Sequence, residues 1–407
     1  MKVLFAHQNF PGQFPHLAPA LQARGHDVLA LTAEKNTRPS PVRVVKYRQP
    51  DEVTLSSNLT RMYAQVSERG MKAARAARQL RSEHGYVPDV IFGHPGWGET
   101  LYLREVWPEA RLLIYGELMY RTSGLDTDFD PEFARDMFES RISTVARSAH
   151  LIQTMVQADA ALCPTRFQAE TFQPEFRHKI TICHDGVDTD RLCPNPDAVF
   201  EIAQKGLRFR PGDEVLTFVN RSLEPYRGYH SFMRALPDVL AARPEAHVLI
   251  VGEEGQSYGG PPKDGISWKE RYLNEVRDRL DLSRVHFLGR IPYDRYIAML
   301  QVSRAHAYLT YPFVLSWSLM ESMSAGCHVV ASDTAPVREM IADGETGELV
   351  GFFDIQGWSD RLIAALAAPE RFIPMRLAAR AHMVAQYDLR RQCLPRLVEF
   401  VETAGRA

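Results

Sequence analysis

The sequence predicts two α/β domains, each a parallel sheet wound by helices on both faces. Three observations predict it. Short apolar runs of strand length alternate with amphipathic stretches of helix length. The alternation stops over a proline-bearing stretch near the middle of the chain and then restarts. At 407 residues the chain exceeds what a single hydrophobic core usually supports.

In the first half, residues 3–6 read as a buried strand and 14–24 as a helix that turns Leu17, Ala20 and Leu21 inward and stops at Gly25. Residues 28–32 are the next strand, which makes a βαβ opening. Strands follow at 42–45 and 90–93 with a long arginine-rich helix over 58–81 between them, then at 112–115 and 160–163. A helix from Thr165 and a strand over 179–183 close this half. Residues 190–212, with Pro194, Pro196 and Pro211, read as the linker region. In the second half, strands over 215–219, 247–251, 285–288, 305–309 and 328–331 alternate with helices over 229–243, 269–280, 294–300 and 318–324. A final helix spans roughly 389–404. The organisation expected is a first Rossmann-like domain over 1–200, a second over 201–385 and a C-terminal helix over 386–407, with a ligand cleft where the strand carboxyl ends meet.

Forty-eight basic residues against fifty acidic ones give a net charge of −2, which leaves no global basic footprint for nucleic acid. The five cysteines, Cys163, Cys183, Cys193, Cys327 and Cys393, are odd in number and form no CxxC pair, so neither a disulfide framework nor a zinc site is indicated. A reducing, cytoplasmic setting fits. The residues from Met1 to His7 hold one basic residue and too short an apolar run for a signal peptide, and no segment approaches about eighteen uninterrupted apolar residues.

The stretch 311–332 is the most informative. Pro312 ends a strand, Ser316 or Ser318 can cap the helix that carries Leu319, Met320 and Met323, and Gly326 stops it. A helix starting just past a strand's carboxyl end presents unpaired N–H groups and a positive dipole end, a place for phosphate or diphosphate. Glu321, one turn in, is itself anionic and suits vicinal hydroxyls such as those of a ribose. Arg221 and Arg227 follow the first strand of the second half and point to the same crevice, where two guanidiniums stabilise charge growing on a leaving diphosphate. Taken alone, the pair reads better as two solvated surface arginines; beside the Glu321 helix it reads as an anion site.

In the first half, Gly12 sits between the first strand and first helix, where backbone can approach a ligand closely. The segment His94-Pro95-Gly96-Trp97-Gly98-Glu99 follows a strand; Trp97 suits stacking on a sugar ring, and His94 is either a donor to a substrate hydroxyl or a turn histidine with its own partners. Glu117 lies two residues past the 112–115 strand, as a general base, a hydroxyl-binding group or an exposed loop acid. Asp126, Asp128 and Asp130 lack the remaining ligands of a calcium loop and read as a solvated loop with no metal.

With these residues assembled, the chain resembles the retaining, nucleotide-sugar-dependent glycosyltransferases of family 4, which share the two-domain GT-B fold. The carriers are the loop from Asn9 to Phe14, Asp185-Gly186-Val187-Asp188, the pair Arg221 and Arg227, Val251-Gly252-Glu253, Phe287-Leu288-Gly289-Arg290, the Glu321 helix with Ala325-Gly326, and the Asp343-to-Gly347 turn. The segments His94 to Glu99 and Asp128 to Glu132 look like a bacterial subgroup. Three positions depart from the family pattern. Phe313 stands where the first of two spaced glutamates is usual, Arg227 replaces the usual lysine, and Glu117 stands where many relatives have a histidine.

The resemblance implies an enzyme that moves a sugar from a nucleoside diphosphate to an acceptor hydroxyl of a glycan, a lipid-linked saccharide or a small molecule. It implies front-face attack without a metal or other cofactor, with the leaving diphosphate accepting the acceptor's proton. Arg221, Arg227 and the backbone from Leu315 through Ser316, Trp317 and Ser318 would hold the diphosphate, Glu321 the ribose, and Arg290 and Ile291 the base, with Gly12 at the donor. His94, Trp97 and Glu117 would face the acceptor, and the final helix would pack back on the first domain. The basic face of the 58–81 helix, with Arg61, Arg69, Lys72, Arg75, Arg78 and Arg81, is either solvated or a peripheral contact with an anionic inner-membrane face. Two other classes share parts of this pattern: a sugar-nucleotide 2-epimerase of the same fold, and a non-enzymatic sugar-binding protein.

Overall fold

The computed structural model describes residues 1–50, 58–134, 136–262 and 264–405. They form two compact units, Met1–Gly186 with Arg390–Ala407, and Val187–Leu389.

The first unit is a seven-stranded sheet: β1 (Lys2–Ala6), β2 (Asp27–Ala33), β3 (Arg43–Tyr47), β4 (Val90–Gly93), β5 (Arg111–Tyr115), β6 (Ala160–Cys163) and β7 (Ile180–Ile182). The spatial order is β3-β2-β1-β4-β5-β6-β7, and every pairing is parallel. Val3 pairs with Val28 on one side and Val90 on the other, so chain order reverses between β1 and β4. Burial on both faces explains the near-continuous apolar runs. One face packs Leu4, Ile91 and Leu112 beneath Trp107. The other packs Phe5, Phe92 and Leu113 under Phe10, Phe14, Leu17 and Leu21, together with Leu397, Val398 and Val401 of the helix Leu394–Ala404.

Two features of this unit differ from expectation. A helix at Met137–Gln157, unread in the sequence, is capped by Asp136, whose Oδ1 accepts from the Phe138 and Glu139 amides at 2.8 and 3.3 Å. Its exposed Phe138, Val145, Ile152 and Val156 put apolar residues on the outer face as well, which blurs the one-sided stripe that marks a surface helix. The acidic loop is not solvated throughout. Asp126 and Asp130 are buried; Asp130 caps the Pro131–Phe133 turn through the Glu132 amide, and Asp128 accepts from Gly124 N–H.

The second unit holds β8 (Phe200–Ile202), β9 (Leu207–Phe209), β10 (Val215–Ser222), β11 (His247–Glu253), β12 (Val285–Gly289), β13 (Ala305–Tyr308), β14 (His328–Ser332) and β15 (Glu348–Val350). Its six-stranded parallel sheet runs β12-β11-β10-β13-β14-β15, reversing at β10 and β13. The proline-bearing stretch 190–212 contains the antiparallel hairpin β8–β9, whose Phe200, Ile202 and Phe209 enter the core with Leu192 and Ala198. Pro194 and Pro211 lie outside the hairpin and are compatible with it. Also unread were β15 and the helices Ile355–Ala367 and Ile373–Tyr387; in the latter, Arg376 and Arg380 interrupt the apolar pattern while donating to the carbonyls of Gly326 and Ser324.

Among the described residues, no helix is long and apolar enough to cross a membrane.

Candidate active site

In the second unit the sheet reverses between β10 and β13, and the carboxyl ends of these strands carry most of the predicted donor residues. This is where open α/β sheets bind ligands. β10 runs three residues further than expected, to Ser222, with its pairing to β11 shifted between Val219 and Ser222. Arg221 therefore lies in that irregular strand end rather than in a loop after it, and it is exposed. The chain then turns through Pro225–Arg227 to Gly228, which has a φ of +67°. A Cβ there would lie 2.2 Å from that of Leu309, so only glycine lets the turn sit against the chain leaving β13.

That close approach delivers Arg227 into the interior. Its Nη1 donates to Thr310 Oγ1 at 2.7 Å and to the Val314 carbonyl at 2.9 Å, and the guanidinium lies over the Tyr258 ring, 5.1 Å from its centroid. Arg227 thus ties the β10 turn to the loop that leads into the helix Trp317–Ser324. Ser316 caps this helix, as expected, through Ser318 N–H at 3.3 Å, and its own amide donates to Tyr308 Oη at 2.9 Å. Two of the amides expected to face a diphosphate therefore have partners within the protein. Trp317 is exposed, Ser318 is buried, and Leu315 packs on the core.

Glu321 faces away from this cap toward the helix Tyr293–Val302. Tyr293 Oη donates to its Oε1 at 2.7 Å and Tyr296 Oη to its Oε2 at 2.8 Å. Each oxygen keeps a second lone pair for a ligand hydroxyl. Burial raises the Glu321 pKa and the two phenols oppose that rise. Tyr293 follows Arg290 and Ile291, so the turn after β12 reaches the ribose candidate through a phenol; Arg290 is exposed and Ile291 packs on the core. Tyr293 and Tyr296 carried no motif in the sequence, although their spacing of three on a helix places both on one face.

Phe313, the departure from the family pattern, is buried in an aromatic group, 4.9 Å from the Tyr258 ring and 5.8 Å from that of Tyr226. The most informative residue that sequence reading passed over is Glu224, between the two arginines. It is fully buried, and its carboxylate accepts from the amides of Ser257 and Tyr258 at 3.1–3.3 Å. Burial raises its pKa to about 7, against those amides and the charges of Arg227 and Arg221.

The first unit gathers a second group at the ends of β1, β4 and β5. His94 is buried; its Nδ1 accepts from Gly96 N–H at 3.1 Å and its Nε2 lies 3.3 Å from Glu117 Oε2. Its ring stacks against Trp97 at 5.9 Å and Tyr115 at 5.8 Å, and meets the His7 ring edge-on at 5.7 Å. His94 is both the turn histidine and a neighbour of Glu117. Tyr115 Oη donates to Asp185 Oδ2 at 2.8 Å. Gly12, with a φ of +53°, lies against His7; a Cβ would fall 2.6 Å from the imidazole Nε2. Trp97 is 37% exposed, with its carbonyl held by Arg69, one of the six basic residues of the Asn58–His84 helix. Arg81 of the same face is likewise tied to the Val106 carbonyl, so that face is partly committed to the unit itself.

No group of three or more His, Cys, Asp or Glu side chains among the described residues is placed to hold a metal ion.

The model for "Glycosyl transferase family 4 group" matches residues 24–192, and that for "Glycosyl transferases group 1" matches residues 199–382. The chain belongs to the glycosyltransferases. This glycosyltransferase is 23% identical to a glycogen synthase of Mycobacterium tuberculosis over 392 residues, 92% of the chain and 86% of that relative. It is 28% identical over 244 residues to a D-inositol 3-phosphate glycosyltransferase of Nocardia farcinica, covering 58% of the chain and 51% of the relative. Among solved structures, sucrose-phosphate synthase from Thermosynechococcus elongatus aligns with a TM-score of 0.72 at 17% identity, over 100% of this chain and 98% of that one. Anabaena Alr3699/HepE in complex with UDP and glucose aligns at 0.67 and 14% identity, over 99% and 100%. These likenesses carry the fold: two Rossmann-like α/β domains, as in GT-B glycosyltransferases.

Proposed function

We propose that this glycosyltransferase moves a sugar from a nucleoside diphosphate to an acceptor hydroxyl with retention of configuration. The observation that carries the reading is Arg227, held between Thr310 and the Val314 carbonyl at the sheet reversal. An arginine built into the interior by two hydrogen bonds is poised for an anion. The Anabaena neighbour crystallised with UDP and glucose supports a nucleotide-sugar donor.

In this reading the bond between the anomeric carbon and the diphosphate oxygen breaks, the acceptor oxygen bonds to the same face of that carbon, and the diphosphate oxygen takes the acceptor's proton. Arg227 and Arg221 carry the charge left on the diphosphate, and the reading calls for no metal ion. Glu321 holds the ribose, with Arg290, Ile291 and the backbone of Leu315 to Ser318 around the nucleotide. His94 and Glu117 bind and orient the acceptor hydroxyl, and Trp97 its ring. A glycan or lipid-linked acceptor at the inner membrane face, met by the basic helix, fits a role in polysaccharide assembly.

The test is release of nucleoside diphosphate from a panel of nucleotide sugars, with and without saccharide acceptors, followed by NMR of the product's anomeric configuration. Acceptor-dependent release with a retained anomeric centre is expected. Inversion overturns retention, and conversion of the donor sugar without any acceptor indicates an epimerase instead.

A further inference from the structure

The loop that follows β11 passes over the carboxyl end of β10 and carries Tyr258 onto Arg227. Its hold on β10 is specific. Glu224 accepts the amides of Ser257 and Tyr258, and Ser222 Oγ lies 2.8 Å from Ser257 Oγ. The Tyr258 ring lies under the Arg227 guanidinium, stacks on Tyr226 and meets Phe313 edge-on. Gly259, at a φ of +72°, turns the chain directly after Tyr258, and a Cβ there would lie 3.4 Å from the Tyr226 ring. A carboxylate with no exposure is costly to keep charged, and a neutral side chain of the same shape would fold more easily. What the charge secures is the loop.

We propose that Glu224 is a positioning residue for transfer: by holding the Ser257 and Tyr258 amides it keeps the Tyr258 ring on Arg227 and so fixes the guanidinium that receives the leaving diphosphate. The inference rests on the nucleotide-sugar reading above. The charged groups that face the carboxylate are Arg221 from β10 and Arg227 from the turn after it; from the loop it meets the Ser257 and Tyr258 amides. Protonation of Glu224 would weaken both amide bonds, so transfer should decline as pH falls through about 7.

The experiment compares wild type, Glu224→Gln and Tyr258→Leu in the full chain. Hydrogen exchange at pH 8 reads the loop directly, because the Ser257 and Tyr258 amides are donated to this carboxylate. In E224Q their exchange should speed up at least ~10-fold, kcat for the nucleotide sugar should fall ~10-fold or more, and the decline on the acid side of pH 7 should disappear. Y258L should lose kcat to a similar extent while the Ser257 amide stays protected, which separates loss of the ring from loss of the fold. Unchanged exchange, or unchanged kinetics and pH profile in E224Q beside an active wild type, overturns this inference and leaves the donor reading standing. A wild-type chain that turns over no nucleotide sugar overturns both.

Discussion

The hydroxyl of Tyr296 donates to Glu321 Oε2 at 2.8 Å from within the core of the second unit. A carboxylate on a helix surface would sample several rotamers; this one is set before any ligand arrives, at the expense of a lone pair on each oxygen. Tyr296→Phe keeps the packing and removes the tether. Steady-state kinetics should show KM for the nucleotide sugar raised by roughly 3- to 10-fold, the equivalent of one ordinary hydrogen bond, with kcat little changed. Glu321→Ala should lower kcat/KM by ~100-fold or more. If Y296F left KM unaltered, Tyr293 and the helix would suffice to orient Glu321.

Arg227 makes two hydrogen bonds from one guanidinium nitrogen while its plane covers Tyr258. Lysine supplies the charge without the planar fork. Arg227→Lys is therefore expected to fold and to lose ~100-fold in kcat, and Arg227→Ala to lose ~1000-fold, read as nucleoside diphosphate release. Equal activity in wild type and R227K would reduce the residue to a point charge.

Gly12 has a left-handed backbone, and any Cβ there would overlap the His7 imidazole. Gly12→Ala should cost about 1–2 kcal/mol for the conformation alone and push His7 toward His94. Denaturant unfolding should report the destabilisation, and a raised KM for the acceptor rather than the donor would report the displaced rings. An effect confined to donor KM would instead support the donor role that the sequence suggests for Gly12.

Burial holds the pKa of His7 and His306 near 3 and that of His184 near 4, below the usual 6.5. Below about pH 6.5 the unfolded chain takes up protons that the folded chain refuses, so stability should drop steadily from pH 6.5 toward 4. Glu224 acts in the opposite sense. Its raised pKa favours the fold most below about 4.5, and that contribution is lost as pH rises through about 7. Thermal melts across pH 4–9 should show His306→Asn flattening the acid slope and E224Q removing the opposing slope between about pH 4.5 and 7. A profile unmoved by either variant would mean that other groups set it.

The sheets were legible in the sequence because both faces of each are covered: runs such as Val90–Gly93 and Ala160–Cys163 match the strands end to end. Ser316 and Gly326 likewise marked the ends of the Trp317–Ser324 helix through capping chemistry that leaves a residue signature. Tertiary partners leave none. Glu224 carries no signal until the fold brings Ser257 onto it, and Asp126 and Asp130 read as solvated until their burial is seen. The Met137–Gln157 helix escaped because its outward side is as apolar as a core face at four positions. Arg227 was correctly placed at a strand end, but its anchoring by Thr310 depends on Gly228 meeting Leu309, a contact between residues 81 positions apart in the chain.

Leu397, Val398 and Val401 complete the face of the first unit formed by Phe5, Phe14, Leu17 and Leu21, yet the whole second unit intervenes in the chain between them. A ribosome releasing residue 186 has made the sheet but not the helix that covers this side of it. At about 5–20 residues per second, the intervening 187–389 take roughly 10–40 s to emerge. During that interval the nascent first unit shows an open apolar face, a ready target for a holdase chaperone. Messages truncated before residue 394 should therefore yield aggregates rather than a free-standing first unit.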